Sequence, residues 1–469
     1  MSAEWPTVQL QDVAELKGGY AFKSEEYTDS GRFVLRTVNI DGSGRITRNG
    51  ATFVSEEKSK EYERFALQPW DTLFVMVGAT LGKTGIVKES DLPALLNQNM
   101  WVVRAKDDKV NQRYLYYVFT HKSKDLLAWA SGAAREFVRR DDFRTMELAL
   151  PPREVQDEIA NSIGAIDDKI ELNRQINQTL EQIAQTIFKN WFVDFEPVKA
   201  KIEAKAAGRD PERAAMCAIS GLCPNGYKLE PELDQLPPEQ YQQLAATAAL
   251  FPDELVESEL GLIPVGWEHQ ELSALCQFAA GSAFKPEHQG QSEGEYPFIK
   301  VSDMNLEGNE IFIRSAQNYI FEPQRKAMNS KLHPSGATVF AKIGVALLSN
   351  RRRLLRVPTI VDNNMMSAAP CGGESMSCYL YLLLSSIDFT VFANGTALPY
   401  LNVSDLKKIQ VVVPSRNSQN QIWDFFNRIA SPLFEKIYEN SSQSQTLIDL
   451  RDSLLPKLIS GEAPFYKGV

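Results

Sequence analysis

One arrangement of apolar, glycine and charged positions runs through this chain twice, beginning at Trp5 and again at Trp267. Short apolar runs bounded by glycine and polar turns predict β-strands: FVLRTVNI, DTLFVMVG and MWVVRA in the first copy, YPFIKVS, ATVFAKIG and KIQVVVP in the second. Helical stretches are interleaved with them, NQRYLYYVFTHKSKDLLAWA (Asn111–Ala130) answering SMSCYLYLLLSSIDFTVFAN (Ser375–Asn394). Gly18–Lys23 (GGYAFK) returns as Ala280–Lys285 (AGSAFK), and Asn97–Met100 (NQNM) as Asp362–Met365 (DNNM). Ser131–Ile159 aligns without a gap to Asn394–Ile422. A repeat this long indicates duplicated domains rather than a solenoid. Strands mixed with helices within each copy predict an α+β (mixed α/β) globule.

A different texture follows each copy. Pro151–Pro152 mark the start of a long amphipathic helix, and Gly164 is expected to break or bend it. Beyond that point Ile170, Asn173, Asn177, Leu180, Ala184 and Ile187 recur at three- and four-residue steps, a short heptad seam. Ile437, Asn440, Ser444, Leu447 and Leu454 hold the matching places in the second copy, with Pro432 near the interruption. Asn173 and Asn440 are equivalent. A buried amide there costs stability and rejects wrong registers. We therefore expect an antiparallel coiled coil joining two globules in pseudo-two-fold fashion, rather than two core helices. About 35 helical residues span roughly 50 Å. That is enough to place two readers about one DNA turn apart, roughly 34–36 Å.

These patterns divide the chain into a first globule (1–150), a first helical spacer (151–192), an acidic Ala/Pro-rich connector (193–266), a second globule (267–414) and a second helical spacer (415–469). Net charge is −10, with 43% hydrophobic and 23% charged residues among 469. The stretch Asn190–Gly266 alone carries thirteen acids against six bases, whereas each globule is close to neutral. The globules are thus free to carry local basic faces. No apolar run approaches a membrane span and the N-terminus lacks a signal-peptide pattern, so a cytoplasmic location is expected, without membrane contact. Five cysteines without a CxxC pair and four scattered histidines argue for reduced thiols and no metal.

Catalytic patterns fail on inspection. GATLGKTG (Gly78–Gly85) has three residues before its Gly-Lys pair where a phosphate-binding loop needs four, and the second copy lacks the lysine. Asp194 with Glu203 and Lys205 is the nearest nuclease-like grouping, but it sits on a predicted helix without an equivalent in the second copy. The amino-methyltransferase Asn/Asp-Pro-Pro-aromatic motif is missing, and no Ser/His/Asp grouping is evident. The expectation is a non-enzymatic chain without catalytic residues or cofactors of its own.

What remains is recognition. Basic residues shared by the copies are Lys23/Lys285, Arg36/Lys300 and Arg144/Lys407. Lys83, Arg135, Arg139 and Arg140 belong to the first copy alone, and Lys342, Arg351, Arg352 and Arg353 to the second. Phosphates are common to every sequence, so shared charges suit the backbone, while residues that differ suit base edges. Lys83 is read as a phosphate ligand beside a glycine turn. Gly19/Gly281 are read as turns, and Asn99/Asn364 as groups satisfying a loop backbone.

Two such globules, each followed by a helix, resemble the DNA-specificity subunits of type I restriction–modification systems. The likeness is sharpest at FKNWFVDFEPVKAK (Phe188–Lys201), FPDELVESELGLIPVGW (Phe251–Trp267), GGYAF and DLRDSLLPKLISGE (Asp449–Glu462). The resemblance implies two target-recognition domains, each reading one half of an interrupted site on double-stranded DNA. It also implies helical spacers that dock two methyltransferase subunits, with restriction/translocase subunits completing the assembly. S-adenosylmethionine, ATP and Mg²⁺ would then belong to those partners. The alternative is a self-sufficient DNA-binding regulator with two tandem reading domains.

Overall fold

The computed structural model describes residues 5–462 apart from 79, 107–108, 133–139, 221–232, 260 and 396–397. It falls into two compact units, Met1–Leu172 with Gln443–Val469, and Asn173–Ser442.

In the first unit Ala14–Gly18, Met100–Ala105, Thr72–Val75 and Thr84–Ile86 form an antiparallel sheet in that order. A second sheet sets Arg32–Leu35 antiparallel to Thr52–Val54 and parallel to Ala94–Leu96. Thr72–Val75 and Ala94–Leu96 are buried along their whole length, which is why they read as unbroken apolar runs and not as alternating ones. Phe33, Leu35, Leu73, Val75 and Met100 share one core. Phe74 and Trp101 pack with Phe119 and Phe143 in another, which brings helix Gln112–Gly132 onto the sheet.

The second unit repeats this plan. Cys276–Ala280 pairs with Met365–Pro370, and that strand with Thr338–Ala341. Tyr296–Ile299 runs parallel to Thr359–Val361. The outer pair Thr7–Gln9 with Glu147–Ala149 recurs as Glu268–Glu271 with Gln410–Val413. Two details of the sequence reading change. FVLRTVNI ends as a strand at Leu35, because the Arg36 N–H donates to Asn39 Oδ1 (3.1 Å) and closes a 3-10 turn; the Lys300 N–H donates to Asp303 Oδ2 (2.7 Å) at the same place. Gly19 and Gly281 are sites of close approach and not turns: a Cβ would fall 2.1 Å from the Asn97 carbonyl oxygen and 2.0 Å from that of Asp362.

The two long helices are continuous, Arg153–Phe192 and Arg416–Ile459. Gly164 does not break the first. It is buried under Arg113, whose Nη2 donates to the Gly164 carbonyl (2.9 Å), and a Cβ would meet that guanidinium carbon at 2.4 Å. Pro432 likewise lies inside the second helix. Within the second unit the helices meet antiparallel along the expected seam. Asn173 Nδ2 donates to the Asn440 carbonyl (3.3 Å), Asn440 Nδ2 to Asn177 Oδ1 (2.9 Å), and Asn177 Nδ2 to Ser441 Oγ (3.0 Å). Ile437 is buried in this unit's core, with Leu180 and Ile187 packed against it. Ile170 and Leu447 are half-buried, and Leu454 packs against the first unit's core.

The connector is the larger surprise. Glu196–Ala206, Pro211–Ser220 and Pro238–Ala248 are helices, followed by a hairpin of Leu255–Ser258 and Gly261–Pro264. Val198, Met216, Ala248 and Phe251 join the second unit's core. Its anchor is aromatic: Trp191 stands 5.6 Å from Phe251, and Trp267 5.5 Å from Phe195, ring centre to ring centre. Each such pair contributes about 0.5–1.5 kcal/mol beyond area burial. The FKNWFVDF and FPDEL…GW segments are therefore two sides of one cluster. Phe195 accepts a left-handed conformation (φ 55°) to start the helix that follows.

Candidate nucleic-acid interface

The duplicated sheets bring the same loops together at one end of each domain. In the first, Tyr20 bridges to Asn97, the Asn97 N–H donates to the Leu35 carbonyl (3.1 Å), and the Met76 N–H to the Asn99 carbonyl (3.1 Å). In the second, Ser282 bridges to Asp362, the Asp362 N–H donates to Ile299 (2.9 Å), and the Lys342 N–H to the Asn364 carbonyl (2.9 Å). Asn99 and Asn364 take part in these loops through their main-chain carbonyls. Loops that follow Gly18, Leu35, Val75 and Leu96, and their counterparts, converge on a common tip.

The candidate cations on these loops divide sharply. Lys23 and Lys285 are exposed, each near an exposed glutamate two residues on, Glu25 at 4.0 Å and Glu287 at 3.8 Å. Exposed pairs of this kind contribute little and release their lysines readily. Both stay available to a phosphate. Arg36 is half-buried, donates to the Gly50 carbonyl (2.7 Å) and lies over Tyr27. Lys300 rests its ammonium 4.7 Å from the Phe284 ring centre. Lys342 is half-buried on the tip.

Three expectations need correction. Lys83 is not a free phosphate ligand, since its ammonium donates to the Ile40 carbonyl at 2.5 Å and closes the loop from inside. Arg352 is 4% exposed; it lies 3.8 Å from the Phe389 ring centre and donates to Asn350 Oδ1 (2.8 Å). Burial pushes its pKa down to about 10, so it stays charged at neutral pH while unable to reach a ligand. Arg353 donates to the Met304 carbonyl (2.9 Å) and to that of Arg352 (2.7 Å), and burial also lowers its pKa. Of that triplet only Arg351 is exposed, and it reaches Asn305 at the loop rim. Arg140 is exposed and donates to the Leu16 carbonyl. Arg135 and Arg139 lie outside the described residues.

Sequence reasoning missed a second set of cations that hold each domain on its stretch of helix. In the first unit Arg113 grips Asp168 through both terminal nitrogens (2.7 and 3.2 Å), Tyr117 donates to Asp167 (2.7 Å), and Arg451 pairs with Asp167 (2.9 Å). In the second, Arg356 pairs with Glu435 (2.6 and 2.8 Å), and Arg314 donates to the Ser441 carbonyl (2.6 Å). The one signal in the sequence was the presence of the helix acids Asp167, Asp168 and Glu435. Their partners were not legible, because they come from distant sequence.

Among the described residues no group of three or more His, Cys, Asp or Glu could hold a metal ion, and no helix is long and apolar enough to cross a membrane.

Comparison with known proteins gives a consistent result. The profile of the type I restriction modification DNA specificity domain matches residues 2–182 and again 264–439. The HindI specificity subunit of Haemophilus influenzae is 35% identical over 339 residues, covering 69% of this chain and 70% of that protein. The MjaIX specificity subunit of Methanocaldococcus jannaschii is 26% identical over 471 residues, 98% of this chain and 93% of that one. Among solved structures, the S subunit of a type I restriction–modification system from M. genitalium aligns over 99% of this chain and 97% of its own, at 14% identity and a TM-score of 0.49.

Proposed function

The chain belongs to the type I restriction–modification DNA specificity family, and from that premise we propose that it is the non-catalytic subunit that selects the sequence on which its partners act. Each domain reads one half of a bipartite asymmetric DNA site, and the helical spacers set the gap and dock two methyltransferase subunits, with restriction/translocase subunits joining them. S-adenosylmethionine, ATP and Mg²⁺ are assigned to those partners, and the assembly to the cytoplasm.

The observation that carries this reading is a conserved frame with diverged tips. Both domains keep the same strand pairing, the same close approach at Gly19 and Gly281, and the same capped turn after Leu35 and Ile299. They differ in the side chains that the loops present: exposed Val77 and Leu81 beside an inward-turned Lys83 in one, the more exposed Val345 and Leu348 without that lysine in the other. Shared geometry suits docking against a repetitive backbone, and private side chains suit base edges. Two unlike heads suit an asymmetric site.

A mobility-shift assay tests it. The chain co-expressed with its methyltransferase partner should retard bipartite DNA with site specificity, and the chain alone should do so weakly or not at all. Full, specific binding by the isolated chain favours the self-sufficient regulator instead. Bound S-adenosylmethionine or DNA cleavage by the isolated chain contradicts the non-catalytic assignment.

A further inference from the structure

We propose that the second domain recognises thymine, through an apolar fingertip that packs on 5-methyl groups in the major groove. The inference rests on the DNA-reading role proposed above and names the kind of base edge that this domain takes.

Val345 is 79% exposed, Val391 71%, Leu398 61%, Leu348 54% and Tyr400 43%. These residues share one tip. Ile343 bridges to Tyr400, the Gly344 N–H donates to the Pro399 carbonyl (2.8 Å), and the Leu401 N–H donates to the Lys342 carbonyl (2.9 Å). The two loops are thereby stitched together, with the short helix Val345–Leu348 against the turn Phe389–Phe392. A cleft of about 240 Å³ opens beside Val345 and Ala346, walled by Val301 and Met304 and rimmed by Asn305 and Arg351. Exposed apolar groups gathered in one place mark a binding surface.

Charge identifies the occupant. The segment Ala341–Val361, which carries half of the tip, holds five basic residues and no acid. Of these, Arg352 and Arg353 turn inward and Arg356 pairs with Glu435, while exposed Arg351 stands at the cleft rim and half-buried Lys342 on the tip. An apolar surface flanked by two cations suits a polyanion that also displays apolar groups. In the major groove the thymine methyl is that group. The duplication supplies the second argument. In the gapless alignment of the copies, Leu398 stands where the first has Arg135, and Asn402 where it has Arg139. One aligned position thus carries, in the two copies, a residue type that reads guanine and an apolar one that suits the thymine methyl. A docking site for one protein partner would have no reason to vary in that way.

The test uses the chain assembled with its methyltransferase partners. The bipartite site is first defined by methylation sequencing. Duplexes are then made in which each dT of each half is replaced singly by dU, which removes only the methyl group. At one or more positions of a single half, the substitution should weaken binding about three- to fivefold, the effect of one buried methyl group. The double variant Val345→Ser with Leu398→Ser should bind the dT and dU duplexes equally, and about as well as the unaltered assembly binds dU. The two sites are exposed, so folding is preserved. Uniform indifference to dU, or discrimination that survives the double variant, overturns the fingertip. Equal weakening on both duplexes reassigns the patch to a protein contact and also overturns it. If the unaltered assembly fails to select any bipartite DNA, the family-based reading falls as well.

Discussion

Single residues show how tightly the common frame is specified. Gly19 and Gly281 each admit a neighbouring carbonyl to within about 2 Å of where a Cβ would stand. Alanine at either place must push two strands apart, an overpacking cost of about 2–3 kcal/mol. Gly18, one residue earlier, has nothing within 4 Å; alanine there should change stability by less than about 1 kcal/mol. Denaturant titration of Gly18→Ala, Gly19→Ala and Gly281→Ala separates these outcomes, and equal effects at all three would show that close approach is not the cause. His333 makes a second prediction. It is fully buried, bonded through Nδ1 to Ser367 Oγ (2.6 Å), and burial with Lys331 nearby lowers its pKa to about 4. An unfolded histidine takes up its proton near pH 6.5, whereas the folded one resists until about pH 4. The unfolded state therefore binds more protons in this window, and stability present above pH 6.5 is lost as pH falls towards 4. The loss is on the order of 2–3 kcal/mol. Melting temperature against pH should flatten across this window in His333→Gln, and an unchanged slope would assign the acid sensitivity elsewhere.

Elements show which parts of this architecture a sequence can announce. Strand runs such as MWVVRA were legible because both faces are buried and the apolar pattern is unbroken. The seam was legible because its period is enforced by packing along a helix: Asn173 and Asn440, matched from spacing alone, do meet. Local punctuation misled where a distant residue overrode it. Gly164 reads as a breaker, yet Arg113, fifty-one residues away, fills the space that its missing side chain leaves. The arginine triplet 351–353 reads as a basic patch, yet Phe389 and the Met304 carbonyl draw two of its members inward. Composition guided only partly at 193–266, where an acidic, Ala/Pro-rich stretch suggested a linker with some helix and the aromatic anchors Trp191, Phe251 and Trp267 build a packed helical layer. The polar seam carries its own prediction. Asn173→Leu with Asn440→Leu replaces buried amides by apolar contact and should raise stability by about 1 kcal/mol or more while relaxing register. The assembled variant should then methylate sites whose gap differs by a base pair as well as the native gap. A variant that keeps a single gap length would remove the amides from register control.

The whole molecule is organised so that each head is fixed to helix. The first compact unit contains not only the opening globule but also helix residues up to Leu172 and the segment from Gln443 onward. Ile159, Ile163, Leu458 and Ile459 share a core with Tyr114 and Phe119, and Arg113, Tyr117 and Arg451 converge on the helix acids Asp167 and Asp168. This constrains how the independence of the two heads can be tested. Replacing Trp5–Leu150 by the corresponding domain of a relative should change one half of the methylated site and leave the other half intact. It should do so only if the incoming domain keeps an arginine at position 113 and a tyrosine at 117. Without them the exchange leaves Asp167 and Asp168 short of partners and opens the shared core, and loss of such contacts costs several kcal/mol. A graft that retains both residues is therefore the decisive one, read by methylation sequencing of the whole genome. Alteration of both halves by that graft would mean that the heads do not read separately. A change confined to one half would mean that each head reads separately while remaining packed on its own stretch of helix.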